Sequence, residues 1–229
     1  MQKLASLNAG KRLLDRQAAE VIREHILSGA LAPGSRLLEV SLAEQLEVSR
    51  GTVRAALAQL AHQGLARRVA FTKWEVPGSS VADAWEVYTL RAVLEGLGAR
   101  LAAERAAPDQ RKKLLATGRE FARAVREKRL NDVTSLDFRI HEEITAIAGH
   151  RRLAEQHHHI IQQVRFHMVN AGFLPKDFAE LIDEHQRLVD AVADGDAPLA
   201  EALARSHNET EIRLLAETMA GRDSAAAAQ

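Results

Sequence analysis

The chain has 229 residues, 46% of them hydrophobic and 4% aromatic, with 31 Lys/Arg balanced by 31 Asp/Glu and no cysteine. That length holds one large domain or two small ones, and the abundance of Ala, Leu and straight-chain residues favours helix. A disulfide framework and a thiolate zinc site are excluded. No apolar stretch has the length of a signal core or a membrane span, so a soluble, cytoplasmic protein without a membrane partner is expected.

Taken in order, residues 1–12 read as a loose arm. A helix follows from about Asp15 to Ser28, with Val21, Ile22, Ile26 and Leu27 on its apolar side and Gly29 as its stop. Pro33-Gly34 marks a turn. Ser41 and Glu44 have capping-box spacing ahead of a short helix that carries Leu42 and Leu46. Ser49 can cap a second helix from Arg50 to about Gln63, closed by Gly64. "LARRVAFTKWEVP" is rich in β-formers and predicts two short strands around a turn near Ala70–Thr72, ending at Pro77.

Residues 78–83 read as a linker. Six helices are then predicted, at about 82–106, 109–128, 131–148, 151–169, 177–194 and 197–220, before a low-complexity tail, 221–229, expected to be disordered. In the first of them Val87, Leu90, Leu94, Leu97 and Leu101 have the 3-4 spacing of a buried seam. The fold class is therefore mainly α: an N-terminal winged helix-turn-helix in residues 1–77, then an all-α antiparallel helical bundle in residues 84–220.

Charge follows this division. Residues 1–78 hold eleven Lys/Arg and seven Asp/Glu, and the remainder twenty and twenty-four. A basic N-terminal part favours a polyanionic partner. On the helix "SRGTVRAAL", Val53, Leu57 and Leu60 face inward, while Arg50, Gly51, Thr52 and Arg54 lie at its N-terminal end. A recognition helix reads base edges from that end: arginine bridges guanine O6 and N7, and threonine reaches a phosphate or a thymine methyl. Arg67, Arg68 and Lys73 lie on the hairpin, where a wing meets the DNA backbone.

The other chemistry lies in the histidines. His157, His158 and His159 are consecutive, but a helix turns about 100° per residue, so they cannot all face one ion. Only His157 shares the stripe of Leu153, Ile160, Ile161, Val164 and Met168. Asp137 and His141 are one helical turn apart, a spacing suited to chelation. His185 and His207 each fall on the apolar face of a later helix. Taken singly, each fits a hydrogen-bonded core histidine. Taken together, one carboxylate and three imidazoles suffice as the ligand set of zinc, nickel or manganese.

"ILSGALAPGSRLLEVSLAEQLEVSRGTVRAALAQLAHQGLARR" resembles the DNA-binding domain of GntR-family bacterial transcription regulators. The match covers most of residues 21–68. It departs from the family at Gly51, where Thr is frequent, at Thr52-Val53 in place of Pro-Val, and in a wing without the usual glycine. The resemblance implies that Arg50, Thr52 and Arg54 contact DNA. "VYTLRAVLEGLGARLAA", "DFRIHEEITAIAG" and "EHQRLVDAVADGD" resemble the FCD ligand-binding domain of the FadR-type branch, in its smaller, VanR-like, six-helix form, with Ile140 where Phe is usual. That resemblance implies Asp137, His141, His185 and His207 as metal ligands, with a small organic acid filling the remaining positions.

Arg91, His157 and Arg165 are the candidates for the acid's other end, although Arg91 is also spaced to pair with Glu95. The expected function is an effector-responsive regulator, not an enzyme: a homodimer on a palindromic double-stranded DNA operator, and a repressor. The alternative is a helical metalloenzyme with a nucleic-acid-binding appendage. Against it, no H-E-x-x-H, nucleophile motif, phosphate loop or dinucleotide fingerprint is present.

Overall fold

The computed structural model describes residues 9–69, 73–173 and 177–227. The chain divides into two compact units, Met1–Ser79 with Arg165–Asn170, and Ser80–Val164 with Ala171–Gln229.

The first unit runs α1 (Ala9–Leu27), β1 (Arg36–Leu37), α2 (Glu39–Gln45), α3 (Arg50–His62), β2 (Arg67–Val69) and β3 (Lys73–Glu75). Ile22 and Ile26 of α1 pack with Val53, Leu57 and Leu60 of α3, and Leu37 and Trp74 close the core from the sheet. Each such side chain, once buried, contributes roughly 1.5–3 kcal/mol. Val21, expected inside with them, is exposed, and the small Ala18 and Ala19 are buried instead. α1 starts at Ala9, so Ala9–Arg12 are helical rather than a loose arm. The arm's first eight residues and the turn expected at Ala70–Thr72 lie outside the described residues.

Two expectations in this unit change. The Ser41–Glu44 capping box does not form. Helix α2 starts earlier, with Leu38 as N-cap, and the Ser41 hydroxyl accepts from Gln45 Nε2 at 3.0 Å. The hairpin is a three-stranded antiparallel sheet of order β1-β3-β2, with Arg36 opposite Glu75 and Leu37 opposite Trp74. Two residues are too few to show a strand's alternation, which is why β1 escapes a periodicity reading. The cap of α3 is as expected: Ser49 Oγ accepts from Thr52 N at 3.1 Å. Gly64, at φ +75°, occupies the left-handed turn after the helix.

The second unit is helical: α4 (Val81–Arg105), α5 (Pro108–Arg126), α6 (Leu130–Ile147), α7 (Arg151–Ala171), α8 (Phe178–Asp194) and α9 (Ala197–Ala227). Ser80 caps α4, so the helix begins inside the stretch read as linker. α4 lies along α9, α5 packs on α6 and α8, and α8 packs on α9. Leu114, Phe121, Ile140, Ile144, Leu188, Val189 and Val192 form the apolar core.

The leucine seam expected on α4 is not the buried one. Leu90 is 51% exposed and Leu97 38%, while Ala84, Val87, Tyr88, Arg91, Ala92, Glu95, Ala99 and Ala102 are buried. Small residues let α9 approach closely, and a charged pair occupies the middle of the face, a combination that hydrophobicity alone assigns to solvent. The tail expected to be disordered is helical through Ala227. Its alanines are the strongest helix formers, and they outweigh the single Gly221 ahead of them.

Candidate functional site

Two regions gather the chemistry. In the first unit, Arg36, Glu39, Arg50, Arg54, Arg68, Lys73 and Trp74 line a surface groove of about 590 Å³. Arg50 and Arg54 are exposed on the first turns of α3, whose N-terminus adds its own partial positive charge. Arg54 is held in place: its Nε donates to Glu39 Oε1 at 3.1 Å and its Nη2 to Oε2 at 2.8 Å. Trp74 Nε1 donates to the same carboxylate at 3.2 Å. The Arg54 guanidinium beside it is the main cause of the Glu39 carboxyl lying below its ordinary range.

Gly51 is exposed beside Arg50. Thr52 differs from expectation, because it is 3% exposed and its hydroxyl sits 3.0 Å from Ser49 Oγ, inside the cap. Arg68 stacks over the Trp74 ring, and Arg67 donates to Glu75. Arg36 and Glu39 had not been picked out from the sequence. The first rides on the unforeseen strand β1. The second is recognisable only once α2 is known to begin at Glu39.

In the second unit, Asp137, His141, His185 and His207 meet. One ligand atom from each lies within 4.8 Å of every other, and all four residues are buried. Asp137 and His141 come from consecutive turns of α6. α8 brings in His185, which rests its ring on Phe121 at a centroid distance of 4.4 Å. α9 supplies His207, stacked on His141 at 5.0 Å. The Nδ1 atoms face outward to acceptors: Glu95 Oε2 for His141 at 3.0 Å, the Leu181 carbonyl for His185 at 2.9 Å, and Glu184 Oε2 for His207 at 3.2 Å. The three Nε2 atoms are buried without a hydrogen-bond partner. His185 Nε2 lies 2.6 Å from Asp137 Oδ1, but the contact lacks the alignment of a hydrogen bond.

Behind the cluster is a polar network. Glu95 Oε1 accepts from Arg91 Nε at 2.8 Å and from His157 Nε2 at 2.9 Å; its Oε2 also accepts from Asn208 Nδ2 at 2.8 Å. Arg91 Nη1 reaches Glu211. Burial opposes ionisation of Glu95, but Arg91 and the imidazole donors outweigh it and hold the carboxyl well below the usual range. Burial likewise opposes ionisation of Asp137, and His185 with its neighbours draws it down. The two stacked histidines diverge. Burial lowers His141 against the pull of Glu95, whereas His207 is pushed up to about 9 because Glu211, Glu184 and Asp137 overcome its burial.

The candidate effector residues are not brought together as a set. Arg91 and His157 meet at Glu95. Arg165 falls in the segment Arg165–Asn170 of the other compact unit. It stands eight positions after His157 on α7, about 12 Å along a helix. Tyr88, Glu95, Glu184, Asn208 and Glu211 were not candidates from the sequence, except that Glu95 stands four residues from Arg91. Their identity depends on which helices meet, and no local spacing records that.

These two regions belong to a DNA-binding transcriptional regulator with a helical second domain. Residues 14–70 match the family described as bacterial regulatory proteins, gntR family, and residues 86–210 match the FCD domain. The chain belongs to the GntR family and carries an FCD domain. It is 29% identical over 197 residues to an HTH-type transcriptional regulator in an unstable DNA locus of Streptomyces ambofaciens, covering 81% of this chain and 78% of that protein. It is also 29% identical over 137 residues to the Nta operon transcriptional regulator of Aminobacter aminovorans, covering 58% of this chain and 63% of that one. Among solved structures, E. coli McbR/YncC superposes with a TM-score of 0.70 at 22% identity, covering 89% of this chain and 97% of that one. A GntR regulator from Rhodococcus sp. RHA1 superposes at 0.68 and 21%, covering 88% and 96%. Among the described residues no helix is long and apolar enough to cross a membrane.

Proposed function

We propose that the chain is a repressor that binds a palindromic operator as a homodimer, holds a divalent transition metal in its FCD domain, and responds to a small carboxylate through that metal. The observation that carries the reading is the convergence of three unpartnered, buried Nε2 atoms on one carboxylate. A buried polar atom without a partner is costly, and three aimed at one point fit an ion better than they fit one another. The charge supports it too. Asp137, Glu95, Glu184 and Glu211 outnumber the guanidinium of Arg91, and this surplus negative charge, which pushes His207 up to about 9, suits a bound cation in place of that proton. The N3O donor set suits zinc, nickel or manganese, and when bound such an ion offers open positions to a carboxylate.

Two carboxylates already neutralise Arg91, so its charge is not what would attract an acid. Its Nη2 and the Tyr88 hydroxyl, both buried and without hydrogen-bond partners, can still donate to one. On the DNA side, Arg50 and Arg54 read base edges, while Arg36, Arg67, Arg68 and Lys73 meet phosphates. Buried Thr52 serves the helix cap rather than a base. The apolar side that α4 leaves exposed, with Trp85, Leu90, Val93 and Leu97, supports pairing with a second copy.

The test is elemental analysis of the full chain, then titration of a DNA fragment from the protein's own upstream region, with and without candidate acids. His185→Ala is expected to lose the metal and the response to acid while retaining DNA binding. A metal-free His185→Ala protein that still responds fully would overturn the coordination reading, since an effector acts only by binding two conformations unequally.

A further inference from the structure

We infer that Glu95 and Glu184 are positioning residues of the histidine cluster, each fixing one ring in the tautomer that turns a lone pair inward. The inference rests on the metal reading above and extends it to residues that would touch no ion. A neutral imidazole carries one proton on either nitrogen, and the hydrogen bond made by one nitrogen decides which lone pair the other presents. Glu95 Oε2 accepts from His141 Nδ1 at 3.0 Å, so the proton sits on Nδ1 and Nε2 is left bare. Glu184 Oε2 holds the Nδ1 proton of His207 at 3.2 Å, so the Nε2 proton is the one a metal would displace. For His185 the acceptor is the backbone carbonyl of Leu181, four residues earlier on α8, which no side-chain substitution removes. Three rings from three helices thus turn Nδ1 outward to an acceptor, and each Nε2 is buried without a hydrogen-bond partner.

The two carboxylates differ in their setting. Glu95 is 3% exposed and takes donors from four helices: Arg91 on its own helix α4, His141 on α6, His157 on α7 and Asn208 on α9. A carboxylate has acceptor sites for all four, and it has no proton to offer. Glutamine in its place keeps one oxygen and adds an NH2 group, which must find an acceptor among donors. Oε1 faces Arg91 Nε, which can only donate, so the NH2 group takes the Oε2 position beside His141 Nδ1, and accepting there moves the ring proton to Nε2. Glu184 is 24% exposed and lines a small cleft of about 80 Å³ with His207 and Thr210. Water can replace part of its role. The structure therefore orders the two: Glu95 holds its ring more firmly than Glu184.

The experiment uses the full chain and two readouts. Cobalt(II) affinity is measured by competition with a coloured chelator, and histidine tautomers in the metal-free protein are read from long-range nitrogen–proton spectra at a pH above about 9, where His207 is neutral. Glu95→Gln is expected to weaken cobalt about 10- to 100-fold, the usual range for such supporting partners, and to move His141 toward the Nε2–H form. Glu184→Gln should weaken it less and act on His207. Glu95→Gln could disturb folding, which circular dichroism checks; Glu184→Gln, near the surface, then carries the test alone. A parent that binds cobalt beside two variants of equal affinity and unchanged tautomers overturns the inference. A parent that takes up no cobalt defeats the metal reading instead. In that case the tautomers still decide whether the carboxylates hold the rings.

Discussion

Arg54 and Arg91 are both arginines bound to a glutamate, and they have opposite uses. Arg54 holds Glu39 from the surface, with 60% of its side chain exposed, so its charge remains available to a phosphate or a base. Arg91 is fully buried between Glu95 and Glu211, and its charge is spent inside the unit. The geometry of the pair is similar; solvent decides what it does. At the surface, water already screens the ions and the pair mainly orients a side chain. In the interior, each ion depends on its partner to offset the cost of leaving water.

That contrast can be broken by one substitution made twice. Arg91→Met leaves Glu95 and Glu211 buried without their cation, and breaking a buried pair in this way costs about 3–5 kcal/mol. Urea denaturation of the metal-free chain should show the loss. Arg54→Met should leave the denaturation midpoint where it was and weaken DNA binding instead. Equal midpoints for Arg91→Met and the parent would show that Arg91 does not hold the interior together.

The same contrast explains what could be read in advance. The groove lies within one contiguous stretch, Arg36 to Trp74, and its recognition helix shows as a cap, an apolar stripe and arginines off the stripe. The helices of the second unit were legible because each has its own period. The four residues of the buried cluster were legible too, since Asp137 and His141 are four apart and His185 and His207 interrupt apolar faces. Asn208 and Glu211 were not, and Glu95 was legible only as the partner of Arg91. They look like the solvent side of α4 and α9 until the two helices are laid together. Thr52 misled for a related reason: its place in the motif suggests a contact, but the Ser49 cap turns it inward.

A second test sharpens the DNA side. Arg50 is exposed at the start of α3, and losing a base contact of this kind lowers affinity roughly 5- to 150-fold. Arg50→Ala should show that loss in an operator titration at fixed salt, with circular dichroism unchanged. Operator affinity equal to the parent's would remove Arg50 from the interface.

The next effect is smaller and separates stability from binding within one residue. Ser49→Ala deletes the acceptor of Thr52 N, a capping loss of about 0.5–2 kcal/mol. Ser49→Asp restores an acceptor but brings a carboxylate to the end of the helix that faces phosphate. Thermal melting should therefore recover in Ser49→Asp while operator affinity does not. Recovery of both would mean that the N-terminus of α3 does not approach the DNA.

The smallest effect expected is none, at the most conspicuous motif in the chain. His157, His158 and His159 occupy consecutive positions of α7, so about 100° separates each from the next. The structure sends them apart. His157 is 2% exposed and donates to Glu95, while His158 is exposed and lies with His159 at a ring distance of 6.0 Å. Neither of the latter two belongs to the converging set of Asp137, His141, His185 and His207. Replacing His158 and His159 together by Gln should leave the metal content of the purified protein at the parent's value. His157→Gln should disturb it, because that ring donates to the carboxylate that holds His141. Loss of metal from the double variant would mean that His158 and His159 bind the ion, and the buried histidines would then be core groups bonded to Glu95, Glu184 and the Leu181 carbonyl.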